Sequence, residues 1–200
     1  YRYRHEHCLR GYEWYDIIEA SKKYDDEIFE HEMIQWKYPT DEDIERVGVR
    51  GIYISNFFKW DANEHGPLMV EKYGFKEAIN PFESTYRGMS NLDDMHENGI
   101  HDYMKWVKFG YGRATDHTSK DIRGGRMNRE IGVKEVLKRD HIKSKDLLRW
   151  LEYVGWSEKE FDEVADTFRD PKVWYIKNKE WCKTDIDGVE RTYGEVQLTE

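Results

Sequence analysis

The sequence predicts a predominantly α-helical fold with one or a few short strands. Three observations predict it. Apolar residues recur at helical spacing between Gly and Pro stops, cap residues precede several of those segments, and a single run, Val49-Arg50-Gly51-Ile52-Tyr53-Ile54-Ser55, has the β-branched and aromatic character of a strand.

Residues 1–38 read as helix on partial 3.6-residue spacing (Leu9, Trp14, Ile17, Ile18, then Ile28, Phe29, Met33, Ile34, Trp36), and Pro39 ends the pattern. Thr40 caps a short helix, with Asp43 three residues on and Gly48 as its stop. The strand over 49–55 feeds a loop and then a helix from near Asp61 to Gly74. In open α/β sheets ligands sit beyond the carboxyl ends of strands, which puts Asn56, Trp60 and Asp61 where a ligand would lie.

Residues 75–99 are irregular, with Pro81, Gly88, Asn91, Asn98 and Gly99; a long loop in a compact domain is often functional. Ile100 to Phe109 is an amphipathic helix. Asn128 caps a helix to about Arg139, Ser144 caps one to Val154 with Gly155 as its stop, and Ser157 with Glu160 forms a capping box for a helix to Phe168. Pro171 ends it. Val173 to Cys182 reads as a small hairpin around Asn178-Lys179, and the last dozen residues as a loose tail.

Between these lies Arg113 to Arg123, bounded by Gly110 and Gly112 before and Gly124-Gly125 after. Its only apolar stripe is Ala114, Thr118, Ile122. Arg113, His117 and Asp121 form a second line, and Asp116, Lys120 and Arg123 a third, each mixing both charge signs at helical spacing. Such a helix is either a solvated face laced with ion pairs or the wall of a wet pocket for an anionic ligand. Bounding glycines and the mixture of His, carboxylates, Arg and Lys favour the pocket. Arg87 and the Asn91-Leu92-Asp93-Asp94 run add polar groups from the irregular loop. Asp102 reads as a carboxylate placed early in its helix to complement the macrodipole.

The 200 residues carry a formal net charge of −9 with 36% charged and 15% aromatic residues, including eight Trp. Aromatic content on this scale argues for a packed core rather than disorder. The acidity and the lack of a basic tract count against nucleic-acid binding, and so against an RNA-modifying role. Cys8 and Cys182 allow one disulfide, but no CxxC occurs, and the absence of a signal-like segment points to a reducing compartment and a cytoplasmic location. No apolar run is long enough to span a membrane. His5-Glu6-His7-Cys8 has ligand types at spacings that do not converge on one ion, and His31-Glu32 lacks the second His of a zinc-protease motif, so no metal site is expected in this chain.

Three collinear segments, GIYISNFFKWDANEH, TYRGMSNLDDMHENGIHDYMKW and FGYGRATDHTSKDIRGGRMNRE, followed by KSKDLLRWLEYVGWSEKEFDEVADTFRDPKVW, resemble the N-acetyl sugar amidotransferase family of lipopolysaccharide and O-antigen biosynthesis. The resemblance runs nearly to Lys183. It implies similarity to PP-loop ATP pyrophosphatases (adenine nucleotide α-hydrolase-like, α/β), with ATP and Mg2+ activating the acetamido oxygen of a nucleotide-linked or lipid-linked N-acetyl sugar. Ammonia then yields the acetamidino group. Partners implied are a glutamine amidotransferase subunit and a cyclase-like, ammonia-channelling subunit.

The SGGxDS-type loop and the early cysteine pairs of that family do not occur here, and the resemblance places them upstream of Tyr1. The chain is therefore expected to be the carboxyl-terminal part, inactive alone. Residues 1–75 would close the nucleotide-binding domain, 76–170 form a helical substrate and ATP region, and 171–200 a short hairpin and tail. The strand over 49–55 would then leave an apolar face along Ile52 and Ile54 exposed. With the spacing arguments above, the resemblance assigns proton transfer and charge stabilisation to Asp116, His117 and Arg113. It assigns nucleotide binding to Lys120, Arg123 and Asp121, and sugar binding to Asn56, Trp60, Asp61, Arg87, Asn91 and Asp94. The competing reading is a non-catalytic helical docking module for the ammonia-supplying partner. Ion pairs converging on one site favour catalysis; scattered exposed pairs favour docking.

Overall fold

The computed structural model describes residues 14–23, 31, 32, 34, 37, 39–48, 51–89, 96 and 98–198. The chain divides into two units, residues 1–65 and 66–200, taken separately below.

In the first unit the described part of the expected long amino-terminal helix is broken. Helix α1 spans Trp14–Lys22, Lys23 turns, and His31, Glu32 and Ile34 adopt 3₁₀ geometry. Spacing that is only partly periodic does not hold one helix in register over such a length. Helix α2, Asp41–Val47, forms as its caps dictate: the Thr40 hydroxyl accepts from Asp43 N–H at 3.2 Å, and Gly48 closes it at φ 78°.

The expected strand over 49–55 does not form in its described part. Tyr53 is extended (φ −88°, ψ 112°), but Ile54–Asn56 curls into a 3₁₀ turn. A strand needs ladder bonds to a neighbour, and the only sheet among the described residues is near the other end of the chain. Ile52 and Ile54 are exposed, as expected. Helix α3 spans Ala62–Tyr73.

In the second unit, residues 74–89 contain no regular element. Helix α4 spans Asn98–Phe109, α5 Arg113–Arg123, α6 Arg129–Arg139, α7 Asp146–Val154 and α8 Glu158–Asp166. Asn128 caps α6, Gly155 in the left-handed region stops α7, and Ser157 with Glu160 makes the capping box of α8.

Ser144 does not cap α7. Its hydroxyl is turned onto α4 instead, where a Cβ on Gly99 would lie 1.9 Å from Ser144 Oγ, so packing claims the group that a cap would use. Asp146 at the start of α7 reaches the same place and accepts from Gly99 N–H at 3.0 Å.

The hairpin forms around Asn178-Lys179. Strand β1, Tyr175–Lys177, pairs antiparallel with β2, Glu180–Thr184, and the two loop residues have φ 53° and 64°. Those angles define a type I′ turn, whose twist matches that of its strands. The tail expectation is overturned: Glu190–Glu195 is a third strand, β3, antiparallel to β2. An extra residue in β3 opposite Glu180–Cys182 forms a bulge, and Gly194 takes φ 104° there.

Helices α4, α7 and α8 and the sheet share one aromatic core: Tyr103, Trp106, Val107, Leu147, Leu151, Phe161, Ala165, Trp174 and Trp181. Trp106 sits edge-on to Trp174 at 4.9 Å and to Tyr193 at 5.0 Å. Arg169, just past α8, lays its guanidinium 4.3 Å from the Trp174 ring centre while Asp166 holds its Nε at 2.8 Å. This core fixes α4, and α4 presents Asp102 and Lys105 toward α5.

Candidate functional site

Helix α5 buries polar side chains. Ala114, His117, Thr118 and Asp121 are all buried, so the buried face is wider than the apolar stripe and takes in two members of the charged line. Those members are satisfied by a four-residue run of the irregular loop, Ser84 to Arg87.

Ser84 Oγ donates to Asp102 Oδ2 at 2.7 Å. Thr85 Oγ1 lies 2.6 Å from His117 Nδ1, and its carbonyl accepts from Arg139 Nη1 at 3.0 Å. Tyr86 donates its hydroxyl to Asp121 Oδ2. Arg87 Nη2 stands 2.8 Å from Asp121 Oδ1, close enough for an ion pair but misaligned for a hydrogen bond. Arg126 adds its Nε to the same oxygen at 2.9 Å.

Arg113 meets Asp102 with Nε at 2.9 Å and Nη2 at 2.7 Å. Asp102 is the fifth residue of α4 and only 2% exposed. It therefore does not complement a helix end, as the sequence reading had it, but neutralises a buried guanidinium. Asp116, one turn along, is paired with Lys105, whose ammonium also lies 4.7 Å from the centre of the Tyr111 ring.

The electrostatics follow from burial. Desolvation, reinforced by Arg87, Arg113 and Lys120, pulls the His117 pKa down to about 4, so the imidazole is neutral at pH 7. The Thr85 hydroxyl takes the complementary donor or acceptor role at Nδ1. Burial and the Asp121 carboxylate push the Tyr86 phenol up to about 12, which keeps it a donor.

Four of the expected site residues, Arg87, Arg113, His117 and Asp121, are brought into one network, with Asp116 at its edge. Lys120 and Arg123 lie on the exposed side of the last turns of α5 and form no ion pair among the described residues. Asn56, Trp60 and Asp61 belong to the first unit. Trp60 is 69% exposed with its ring 4.9 Å from that of His65, and Asp61 accepts from Asn63 N–H at 3.0 Å as α3 begins. Asn91 and Asp94 lie outside the described residues.

Sequence reasoning missed Ser84, Thr85, Tyr86, Asp102 and Lys105 as partners. Each meets a residue that is distant in sequence, and no local pattern marks those pairs. It also missed two clefts of about 230 and 440 Å3 that share Trp106, Leu137, His141 and Tyr193. Neither takes in a residue assigned a catalytic or binding role from the sequence.

Among the described residues no group of three or more His, Cys, Asp or Glu side chains could hold a metal, and no helix is long and apolar enough to cross a membrane. Residues 54–186 match the family described as LPS biosynthesis protein WbpG-like, C-terminal domain. No curated protein matches the chain.

Proposed function

The chain belongs to the family of the C-terminal domain of WbpG-like LPS biosynthesis proteins, and from that premise we propose that it is the carboxyl-terminal part of an ATP-dependent amidotransferase acting on an N-acetyl sugar. The reaction replaces the acetamido oxygen by nitrogen from ammonia and gives an acetamidino group. A glutamine amidotransferase and a cyclase-like subunit supply the ammonia.

One observation carries the reading. Arg87 and Arg113, each held by a buried carboxylate, flank a neutral buried His117 on one helix. Paired guanidinium groups keep their orientation and still present N–H donors to phosphate or carboxylate oxygens. The convergence of these pairs is what a catalytic or binding site requires, and it disfavours the scattered pairs of a merely solvated helix.

The residues present fit a polyphosphate. Lys120 and Arg123 are exposed cations on the same helix, without carboxylate partners among the described residues, and suit its negative charge. ATP supplies activation of the amide oxygen as an adenylyl ester. The protein's own groups do the rest. Arg113 and Arg87 orient and neutralise the anionic ligand. His117 stays neutral and acts as a hydrogen-bond partner. Asp116, 28% exposed at its side chain beside Lys105, takes the proton that the attacking ammonia sheds.

The test uses the complete gene product with ATP, an ammonium salt and a nucleotide-linked N-acetyl sugar. High-resolution mass spectrometry is expected to show NH in place of O, with AMP and pyrophosphate released in equal amounts. Neither mass shift nor pyrophosphate across several sugars overturns the proposal. A docking role is favoured by one specific feature, the exposed Leu148 and Tyr153 on α7, at 68% and 88%. Loss of glutamine-dependent but not ammonium-dependent turnover in Leu148→Ser/Tyr153→Ser would assign these side chains to contact with the ammonia-supplying partner.

A further inference from the structure

Helix α5 begins without a cap of its own. Its N-cap residue is Gly112, which has no side chain to accept the first orphan N–H groups. A carboxylate from elsewhere performs that task. Asp140, immediately after α6, accepts from Gly112 N–H at 2.8 Å, from Thr115 N–H at 3.3 Å and from Thr115 Oγ1 at 2.6 Å. It is 5% exposed.

The fit is close on both sides. A Cβ on Gly112 would lie 2.8 Å from Asp140 Oδ1 and 3.0 Å from its Cγ, so only glycine lets the carboxylate reach the backbone. Asp140 is itself fixed, because its own N–H donates to Val136 O at the end of α6. A negative charge at this end also complements the dipole of α5. The first turn and a half of α5 carries Arg113, Asp116 and His117.

We infer that Asp140 is a positioning residue for the site: it sets the start of α5, and through it the placement of Arg113, Asp116 and His117, without touching substrate. The inference rests on the functional reading above, but it is tested by a signal that needs no turnover.

That signal is the titration of His117, followed by NMR in the complete protein and assigned with His117→Gln. The wild-type imidazole is expected to titrate near pH 4. In Asp140→Ala the first turn loosens, water reaches the ring, and the midpoint rises by more than one pH unit. Amide exchange at Gly112 and Thr115 speeds by tenfold or more. Asp140→Asn retains an acceptor oxygen and is expected to restore most of both signals. Ser157→Ala, which removes a cap from α8 instead, leaves both unchanged. Thr115→Val, which deletes one bond only, gives an intermediate shift and keeps the test available should Asp140→Ala fail to fold.

A His117 midpoint near 4 together with wild-type exchange at Gly112 in Asp140→Ala overturns the inference. So does an equal change in Ser157→Ala, which would mean general loosening. Where turnover is detected, kcat falls about tenfold in Asp140→Ala with KM within twofold. If the wild type shows no turnover, the functional reading fails while the titration still decides the role of Asp140.

Discussion

Thr85 Oγ1 and His117 Nδ1 lie 2.6 Å apart, both side chains buried, one from an irregular loop and the other from the middle of a helix. The contact ties loop to helix and removes the imidazole from water. Its consequence is measurable in the pH dependence of stability.

The folded-state pKa of His117, about 4, is below the ordinary 6.5. Between those values the unfolded chain binds a proton that the folded chain does not. The contribution of His117 to stability is therefore complete above pH 6.5 and declines as pH falls toward 4. At 1.36 kcal/mol per pKa unit the loss totals about 3 kcal/mol. Urea unfolding between pH 7 and pH 4 is expected to show that slope, and His117→Gln to flatten it.

Removing Asp102 leaves Arg113 buried with its main counter-charge gone. Asp102→Ala is expected to destabilise the protein by about 3–5 kcal/mol. Replacing both partners, as Asp102→Leu/Arg113→Met, leaves no unpaired charge and should recover much of that loss. A double-mutant cycle in urea measures it; a loss in the double variant equal to the sum of the two single losses would show that the pair is not coupled.

Asp116 and the pair Lys120 and Arg123 separate chemistry from binding. Asp116→Asn is expected to lower kcat by about 10²-fold or more with little change in thermal stability. Lys120→Ala/Arg123→Ala should raise the KM for ATP while altering stability by no more than about 0.5 kcal/mol, because both side chains are exposed. Steady-state kinetics with pyrophosphate release as the readout distinguishes the two patterns.

The capping box of α8 gives a purely structural prediction. Ser157 Oγ accepts from Glu160 N–H at 3.3 Å, and Glu160 Oε2 accepts from Ser157 N–H at 2.7 Å. Ser157→Ala is expected to cost about 1 kcal/mol in urea or thermal unfolding, without effect on turnover.

What the sequence revealed was what is encoded over a few neighbouring residues. The caps Thr40, Asn128 and Ser157, the stops Gly48 and Gly155 and the turn at Asn178-Lys179 each act within four residues, and each was readable. Helix α5 was bounded correctly by its glycines. Its partners were not readable, because Asp102, Asp140 and the loop 84–87 are brought to it only by the tertiary fold. Asp102 was misread for a related reason: a carboxylate near a helix start looks the same whether it faces water or a buried arginine. Strand β3 was missed because its sequence, ERTYGE, is polar and interrupted by Gly194. Its pairing with β2 and the packing of Tyr193 on Trp106 make it a strand. The run over 49–55 failed in the opposite sense, with strand composition and no neighbour among the described residues to pair with.

Cys182 occupies the middle strand, paired with Tyr175 on one side and Thr192 on the other, and it carries a free thiol that is 0% exposed. Such a thiol is a clock. A bulky maleimide cannot reach the sulfur until β1 or β3 peels away, so in a Cys8→Ser background the labelling rate counts how often the sheet opens. Each substitution that weakens the aromatic core should quicken that clock, while Lys120→Ala/Arg123→Ala should leave it running at its original rate.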